Sequence, residues 1–188
     1  MWGVRKSGAL DAGGRRKYLN RNESGRFVKA AETLPVKSAA LCLLLCYTGC
    51  RISEALALAE ADIDWSTDVI RFRCLKKRGK EHVRRVPISG ALKRKLKLIT
   101  PSSGRIWSIS RATGWRIIKS AMNEAGIVGI HASPKGLRHG FGVRCAMVGV
   151  PLNILQEWMG HSDPATTAIY LDIRDEEERE LIKRTWKF

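Results

Sequence analysis

Residues 160–170 read GHSDPATTAIY, and the fold expected of the whole chain can be built outward from this stretch. Its Gly-His pair ends one apolar helix, and Pro164 stands in the first turn of the next helix, where its missing N–H costs least. The pattern predicts that Tyr170 lies two turns into this second helix. A histidine, His161, and a tyrosine are therefore expected close to the junction of two helices.

Charge is the most unusual property of the rest of the sequence. Thirty-four lysines and arginines stand against eighteen acidic residues, which gives a formal net charge of +16. Such a field attracts polyanions at long range, and it favours nucleic acid over a membrane surface as the partner. A membrane-binding chain would need a basic amphipathic helix with a bulky apolar face, and the sequence has none of that strength.

Length and composition indicate a globular protein. The 188 residues, of which 44% are hydrophobic, suit one domain with tails and are too apolar for a disordered chain. The longest apolar run, residues 39–47, is too short to span a bilayer. The four histidines and five cysteines have neither metal-ligand nor CxxC spacing, so no metal or cofactor is expected. An odd number of cysteines without a signal peptide favours a cytoplasmic protein.

Turn and cap residues divide the chain into mostly helical segments. Residues 1–25 are rich in glycine and basic residues, which predicts a flexible basic arm that tracks phosphates or is a cloning remnant. A helix that begins at Pro35 is expected to end at Gly49, because glycine adopts the left-handed cap. A new helix follows at once. Arg51 therefore lies at a helix–helix junction, and Glu54, one turn later, can hold its guanidinium.

Residues 62–88 alternate apolar and basic side chains, which predicts antiparallel strands. The strands are joined by a cationic tip that reads Lys76-Lys77-Arg78-Gly79-Lys80. Because like charges repel one another, contact with an anion is favoured over a solvated charged loop. The expected fold class is mainly α with a small antiparallel β-sheet, that is, α+β.

Two further helices carry basic residues. Ser110 is a good N-cap for a helix to residue 125 that turns Trp115 inward. The basic residues of its outer face are Arg111, Arg116 and Lys119. This outer face either lies along DNA or is simply solvated. Ser133 caps the next helix and places Arg138 and His139 near the positive end of its dipole, which suits an anion.

The C-terminal residues 171–188 are predicted to form a separate tail helix. An acidic run after Tyr170 leads into a segment with an apolar face. This tail is expected either to fold back on its own chain or to dock onto a neighbouring protomer. The other boundaries predicted are a basic arm over residues 1–25 and one domain over residues 26–170.

Four segments of this sequence resemble the catalytic domain of tyrosine recombinases, the phage-integrase-type or Xer-like site-specific recombinases. They are TGCRISE at 48–54, the Lys76 hairpin that ends at Pro87, GLRH at 136–139, and GH at 160–161 with Tyr170 nine residues on. All four occur in the family's order and cover nearly the whole chain from about residue 26. The resemblance implies the DNA breaking–rejoining fold, with residues 26–170 as the catalytic domain.

The resemblance also implies a reaction that needs neither metal nor ATP. Tyr170 attacks a DNA phosphate and leaves a 3′-phosphotyrosyl bond and a free 5′-hydroxyl, and a hydroxyl from a partner strand reverses the step. Arg51 and Arg138 can each fork onto the nonbridging oxygens, where negative charge accumulates. His161 would add a hydrogen bond to the same phosphate.

Further roles follow from the same resemblance. Lys76 is the expected general acid that protonates the leaving 5′-oxygen, with Lys77 as the alternative. Glu54 and His139 are expected to support the two arginines. The residues expected to contact DNA are Lys77, Arg78, Lys80, Arg111, Arg116, Lys119 and Arg144.

The sequence departs from the family pattern in two places. Lys135 replaces the histidine that usually stands three residues before the second arginine. It can still contact phosphate, but no base is then evident for Tyr170. Most members also carry an N-terminal helical domain that closes around DNA, and the residues before Phe27 are too few to form one. Either a fragment or a catalytic-domain-only member is therefore expected.

Site-specific recombination of double-stranded DNA is the leading hypothesis for the function. It requires a homo-oligomer, a dimer or a tetramer, on paired sites. Relaxation of DNA in the manner of a type IB topoisomerase would use the same chemistry without strand exchange. A catalytically silent DNA-binding module is disfavoured, because binding alone does not need the tyrosine.

Overall fold

The computed structural model describes residues 8–75, 81–171 and 176–185 of the chain. It is mainly helical with one small antiparallel sheet, which confirms the predicted fold class. The elements in chain order are α1 (Arg21–Glu32), α2 (Val36–Thr48), α3 (Ile52–Ala57), β1 (Ile63–Asp64), β2 (Val69–Leu75), β3 (Glu81–Pro87), α4 (Gly90–Lys97), α5 (Arg111–Glu124), α6 (Pro134–Met147), α7 (Leu152–Met159), α8 (Pro164–Ala168) and α9 (Glu176–Thr185). Within the described ranges, no helix is both long enough and apolar enough to cross a membrane.

Helix α2 forms the centre of the main core. Its residues 39–46 are all buried, and the helix packs against α1, α4, α5 and α6. Because apolar side chains cover every face of α2 and not a single stripe, the helix is surrounded by protein. Cys42 and Cys46 are buried thiols within it. The main core thus fixes the C-terminal end of α2, which leads into the site.

Strands β1, β2 and β3 form the sheet in that order. In the register of β2 and β3, Ile70 pairs with Val86 and Phe72 pairs with Arg84, and all four side chains are buried. The apolar members of this face belong to the main core, which attaches the sheet to the helices. The predicted cationic tip, residues 76–80, lies outside the described residues.

Residues 8–20 depart from the predicted flexible arm. Tyr18 and Leu19 are buried, and the Leu19 amide donates to the carbonyl oxygen of Gly136 in α6 at 3.3 Å. Asn20 then caps α1, so this helix begins within the predicted arm. The few apolar side chains in this basic stretch are therefore sufficient to pack it against the domain.

A second hydrophobic cluster, which we call the small cluster, lies apart from the main core. Its members are Ala9, Tyr18, Phe141, Val143, Cys145, Met147, Leu155, Met159 and Tyr170. Leu181 of α9 packs against it, so the described part of the tail folds back on its own chain. That is one of the two arrangements predicted for the tail.

The start of the described chain lies against the end of the predicted nucleophile segment. Gly8 approaches Ile169 so closely that a Cβ at residue 8 would come within 2.6 Å of the isoleucine Cγ2. The next residue, Ala9, is buried in the small cluster. Residue 8 therefore contacts the residue immediately before Tyr170, and residue 9 belongs to the same cluster as Tyr170.

Helix α5 buries Ile118 and Met122, but its Trp115 does not face inward as predicted. Trp115 is 48% exposed, and the buried residues are Gly114, Ile118, Ala121 and Met122. Lys119 was predicted to face outward, but its Nζ donates to the carbonyl oxygen of Ala132 at 2.9 Å. The pattern misled because Gly114, which has no side chain to count as apolar, lets α5 pack closely against α3.

Helix α8 is shorter than predicted. It ends at Ala168, so Tyr170 lies two residues beyond its end and not two turns into a helix. The Tyr170 amide donates to the carbonyl oxygen of Thr167 at 3.0 Å, which closes a tight turn. This turn directs the phenol ring into the small cluster.

Candidate active site

Arg138, near the start of α6, joins the ends of two other helices. Its Nη1 donates to the carbonyl oxygen of Gly49 at 2.8 Å, and its Nη2 donates to that of Met159 at 2.5 Å. These carbonyls stand at the C-terminal ends of α2 and α7, where the helix dipole favours a cation. Burial, with the nearby charge of Arg51, lowers the pKa of Arg138 to about 10. The guanidinium therefore stays protonated at neutral pH.

Gly49 ends α2, as the sequence predicted. Its φ of 61° lies in the left-handed region, and a Cβ there would also meet Cδ1 of Phe141 at 2.5 Å. The reversal lets α3 begin at Ile52, with Arg51 as its N-cap residue. A change of chain direction thus places Arg51 beside the Gly49 carbonyl that holds Arg138.

Arg51 is oriented by Glu54. Its backbone N–H donates to Oε2 of Glu54 at 2.8 Å, and its Nη1 donates to Oε1 at 2.8 Å. The contact predicted between these two residues is therefore present. The Arg51 side chain is 46% exposed, whereas that of Glu54 is 8% exposed. The carboxylate is part of the protein interior, and the guanidinium that it holds faces the solvent.

His161 follows α7, which ends at the left-handed Gly160 as predicted. Its Nδ1 lies 2.9 Å from Oγ1 of Thr167, a buried residue of α8. Burial, together with the charges of Arg138 and Arg51, lowers the pKa of His161 to about 4. The imidazole is therefore neutral at pH 7. If Nδ1 accepts from the threonine hydroxyl, Nε2 carries the proton and can donate.

Tyr170 lies between two histidine rings and is only 1% exposed. The centroid of its ring is 6.1 Å from that of His161 in a stacked arrangement and 5.7 Å from that of His139 edge-on. Burial raises the pKa of Tyr170 to about 12, although Arg138 and Arg51 act to lower it. The phenol is therefore protonated at neutral pH. The structure brings Arg51, Arg138, His161 and Tyr170 within electrostatic range of one another.

Gly142 of α6 makes room for the phenol ring. A Cβ at this position would stand 2.6 Å from both Cε2 and Cζ of Tyr170. Real Cβ contacts are never this short, so any larger residue would have to displace the ring. This role cannot be predicted from the local sequence, because the contact partner lies 28 positions away in the chain.

His139 lies on the other side of the tyrosine, and Lys135 lies near His139. His139 was expected behind Arg138, and the structure places its ring against Tyr170. Burial, followed by the charges of Lys135 and Arg138, lowers the pKa of His139 to about 4, so its ring is also neutral at pH 7. Its buried Nδ1 has no hydrogen-bond partner among the described residues. Lys135 itself is exposed.

Two buried polar residues of the site were missed by the sequence reasoning. The hydroxyl of Thr167 is hydrogen-bonded to the ring of His161, and the guanidinium of Arg84 in β3 donates to the carboxylate of Glu54. Only the three-dimensional fold relates Thr167 to the histidine ring. Arg84 could have been found, because it alternates with Val86 and so falls on the inward face of a strand. A charged residue at such a position needs a partner in the interior.

The predicted DNA-contacting residues other than Lys119, which bonds to Ala132, fall into three groups. Lys77, Arg78 and Lys80 lie outside the described residues, as does the predicted general acid Lys76. Arg111 and Arg116 are exposed on α5. Arg144 differs from the prediction, because its guanidinium donates to Oγ of Ser24 at 2.8 Å and to the carbonyl oxygen of Cys46 at 2.5 Å. It joins α6 to α1 and α2, and we leave it out of the proposed DNA-contacting set.

Comparisons with known proteins place this site in a family. The model of the phage integrase family matches residues 17–177. Tyrosine recombinase XerA of Pyrococcus horikoshii is 31% identical over 182 residues, which cover 89% of this chain and 61% of the relative. Tyrosine recombinase XerD of Corynebacterium glutamicum is 30% identical over 167 residues, which cover 80% of this chain and 53% of the relative.

Solved structures share the fold. A crystal structure of XerA recombinase matches 91% of this chain and 65% of its own, with a TM-score of 0.78 and 24% sequence identity. The XerH site-specific recombinase, solved in a post-cleavage complex with a palindromic difH substrate, matches 91% of this chain with a TM-score of 0.69 and 19% identity.

The match to the family extends over most of this chain but not over most of each relative. The chain spans 61% of the length of the XerA relative and 53% of the XerD relative. The part in common includes all four segments that carry the arginines, the histidine and the tyrosine. The chain belongs to the phage integrase family and carries a tyrosine recombinase catalytic domain.

Proposed function

We propose that this chain cleaves and rejoins DNA at specific sites through a 3′-phosphotyrosyl intermediate, with Tyr170 as the nucleophile. The observation that supports this most directly is the convergence of two arginines and a neutral histidine on one tyrosine. Binding alone would not require the tyrosine. The family to which the chain belongs adds independent support.

The two arginines supply preorganised positive charge for the scissile phosphate. In the transition state of phosphoryl transfer, negative charge spreads over the nonbridging oxygens, and fixed cations stabilise it without reorganising. Arg138 is held by two helix-end carbonyls and Arg51 by Glu54. Each guanidinium presents several N–H groups in a planar fork that matches two phosphate oxygens. His161, neutral and oriented by Thr167, would donate from Nε2 to the same phosphate.

Bond formation and bond breaking balance without a cofactor. The Tyr170 oxygen forms a bond to phosphorus, and the bond from phosphorus to the 5′-oxygen breaks. The leaving oxygen takes a proton, for which we propose Lys76 or alternatively Lys77 of the tip that joins β2 to β3. The phenol must give up its own proton. Since burial is the largest cause of its raised pKa, movement of Tyr170 out of the small cluster would favour that loss.

Double-stranded DNA is the proposed substrate, and assembly on paired sites is proposed for strand exchange. The net charge of +16 supports attraction to DNA. Lys77, Arg78 and Lys80 of the hairpin tip are proposed phosphate contacts, together with the exposed Arg111 and Arg116 of α5. The relatives solved with DNA include XerH with its difH substrate and a Tn1549 transposon integrase with transposon end DNA.

The test of the chemistry is capture of the covalent intermediate. Supercoiled plasmids that carry DNA flanking the coding sequence would be incubated in EDTA without ATP and quenched with detergent. We expect protein covalently bound to DNA with the wild type and none with Tyr170→Phe. The matched control is Tyr47→Phe, because Tyr47 lies on α2 and is 36% exposed. Adduct formation by Tyr170→Phe would show that Tyr170 is not the nucleophile.

The same plasmids distinguish strand exchange from simple relaxation. Two sites on one plasmid should yield recombinant products if the protein is a recombinase. Relaxed circles without recombinants would instead indicate activity of the type IB topoisomerase kind.

DNA contact by the exposed arginines is tested by the salt dependence of binding. If about six to ten phosphates are contacted, the affinity should fall by about a thousandfold or more between about 50 and 200 mM salt. Replacing Arg111 or Arg116 with alanine should reduce the slope by about one unit each. Arg144→Ala is the matched control, because its guanidinium bonds inside the protein. A slope unchanged in all three variants would remove α5 from the proposed DNA-binding surface.

A further inference from the structure

Among the described residues, Arg84 is the largest fully buried side chain, with 0% of its surface exposed. It lies on the inward face of β3 opposite Phe72 of β2, and its Cζ stands 4.5 Å from the centroid of the phenylalanine ring. Arginine is almost never fully buried unless it is paired, because removing its charge from water is costly. The neighbouring Arg85, on the opposite face of the strand, is exposed. The fold therefore requires partners for Arg84 in the interior.

The first partner is the carboxylate that holds Arg51. Nη2 of Arg84 lies 2.5 Å from Oε2 of Glu54. The same oxygen accepts the backbone N–H of Arg51, and the other oxygen, Oε1, accepts Nη1 of Arg51. Glu54 thus stands between two guanidiniums, one buried and one facing the solvent. The buried guanidinium fixes the orientation of the carboxylate that aims the exposed one.

The second partner is the end of the helix that precedes His161. Nη1 of Arg84 donates to the carbonyl oxygen of Trp158, and the next carbonyl, that of Met159, accepts from Arg138. The last carbonyls of a helix have no partner within the helix. Two arginines from two different elements therefore bind consecutive carbonyls at the end of α7. This arrangement ties the turn that carries His161 to the sheet.

We propose that Arg84 is a positioning residue of the active site, which acts through Glu54 to orient Arg51 and through Trp158 to fix the turn before His161. It does not itself reach the solvent-facing site, since its side chain is fully buried. The inference rests on the proposed function of Arg51 and His161. Because Arg84 belongs to β3, it also connects the strand that follows the cationic tip to the residues that would bind the phosphate.

A purely structural ion pair would behave differently from a positioning residue. Loss of a structural pair lowers the stability of the fold, and it slows the reaction by the same factor whether or not Arg51 is intact. Loss of a positioning residue slows the chemical step mainly through Arg51. Once Arg51 is absent, the same loss should have little further effect. The two roles are therefore separated by combining the two substitutions.

The experiment measures the single-turnover rate of adduct formation, and separately the DNA affinity, on a substrate that wild type cleaves in the plasmid assay. The variants are Arg84→Met, which removes the charge at similar length, and Arg84→Lys, which keeps a charge without the fork. Arg85→Met, at the exposed neighbouring position, is the matched control. We expect Arg84→Met to slow cleavage by about a hundredfold, with the DNA dissociation constant changed by less than about threefold. Arg84→Lys should recover part of the rate, and Arg85→Met should cleave at the wild-type rate.

The decisive comparison uses Arg51→Ala alone and in combination with Arg84→Met. We expect the double variant to be within about tenfold of the rate of Arg51→Ala, the remainder being the effect at Trp158. Two losses that multiply in full would overturn the proposal, as would wild-type cleavage by Arg84→Met. If Arg84→Met does not fold, the same cycle with Arg84→Lys provides the test, because that variant keeps a buried cation beside Glu54. Failure of the proposed function would show itself earlier, as absence of any adduct with the wild-type protein.

Discussion

The site is built from two regions that are held in opposite ways. Around Arg51, polar contacts fix the geometry: a carboxylate stands between two guanidiniums, and the functional one is open to solvent. Around Tyr170, packing fixes the geometry: the phenol is wedged between two neutral histidine rings and a glycine, and it is closed to solvent. The arginine proposed to bind the phosphate is therefore already oriented in the resting protein, whereas the proposed nucleophile must first leave its buried position.

The largest effects are expected from substitutions of Arg138, which belongs to the buried part of the site, and of Arg51, which faces the solvent. Arg138→Met should slow cleavage by at least about a thousandfold and also destabilise the fold by about 1–3 kcal/mol, because two helix-end carbonyls lose their donor. Arg51→Met should slow cleavage by about a hundredfold or more with a stability change within about 0.5 kcal/mol. Urea denaturation and single-turnover cleavage measure the two quantities. Equal losses of stability in the two variants would contradict the proposed difference between a buried, structural Arg138 and a solvent-facing Arg51.

Acid should weaken the Tyr170 region first. His139 and His161 have folded-state pKa values of about 4, below the ordinary value of 6.5, so the unfolded chain binds more protons than the folded one between these limits. The free energy of unfolding is therefore expected to fall as the pH drops from about 6.5 towards 4. The slope should correspond to the uptake of up to about two protons on unfolding. His139→Asn should roughly halve this slope in urea titrations at several pH values. A slope unchanged by that variant would show that other groups control the acid response.

The packing around the phenol can be tested by adding one methyl group. Gly142→Ala would place a Cβ 2.6 Å from the Tyr170 ring, and we expect a loss of about 1–3 kcal/mol in stability. In a Tyr170→Ala background the ring is absent and the same change should cost nothing. Gly25→Ala is the control for helix propensity, since a Cβ at that position in α1 meets no atom within 4 Å, and it should stabilise by about 0.5–1 kcal/mol. If Gly142→Ala costs as much in the Tyr170→Ala background, the ring is not what the glycine accommodates.

The smallest effect concerns the orientation of His161. Thr167→Val keeps the shape of the side chain but removes the hydroxyl that lies 2.9 Å from Nδ1. The proposed donor tautomer is then no longer favoured, and we expect cleavage to slow by about tenfold, since one hydrogen bond contributes about 0.5–1.5 kcal/mol. Thr166→Val is the control at the neighbouring exposed position of α8. A rate for Thr167→Val equal to that of the control would contradict the proposed role of the hydroxyl.

Residues that determine the backbone locally were predicted well from the sequence. Gly49 and Gly160 end helices in the left-handed conformation, and Ser110 and Ser133 cap the helices that follow them. These positions are readable because the preference of each residue for a turn or a cap is a local property. The predicted proximity of Glu54 to Arg51 was equally local, since one helical turn separates them.

Features that depend on long-range packing were not predicted. Trp115 was assigned to the core, but the structure places Gly114 against α3 and leaves Trp115 exposed. Which of the two residues is buried depends on how closely α3 approaches α5. Residues 8–20 were assigned to a flexible arm, although Tyr18 packs in the small cluster and Leu19 packs in the main core. The interior partners of Arg84 belong to segments 30 and 74 residues away. No pattern within a short window carries that information.

The contact between Gly8 and Ile169 gives the domain a mechanical property. Gly8, at the beginning of the described residues, touches Ile169, which directly precedes Tyr170 although 161 positions separate the two residues. A force applied at residue 8 would thus be passed to the chain beside the phenol through one side chain. A tether attached at this end of the domain would pull on the chain beside the tyrosine, and its tension would set how readily the ring leaves the small cluster.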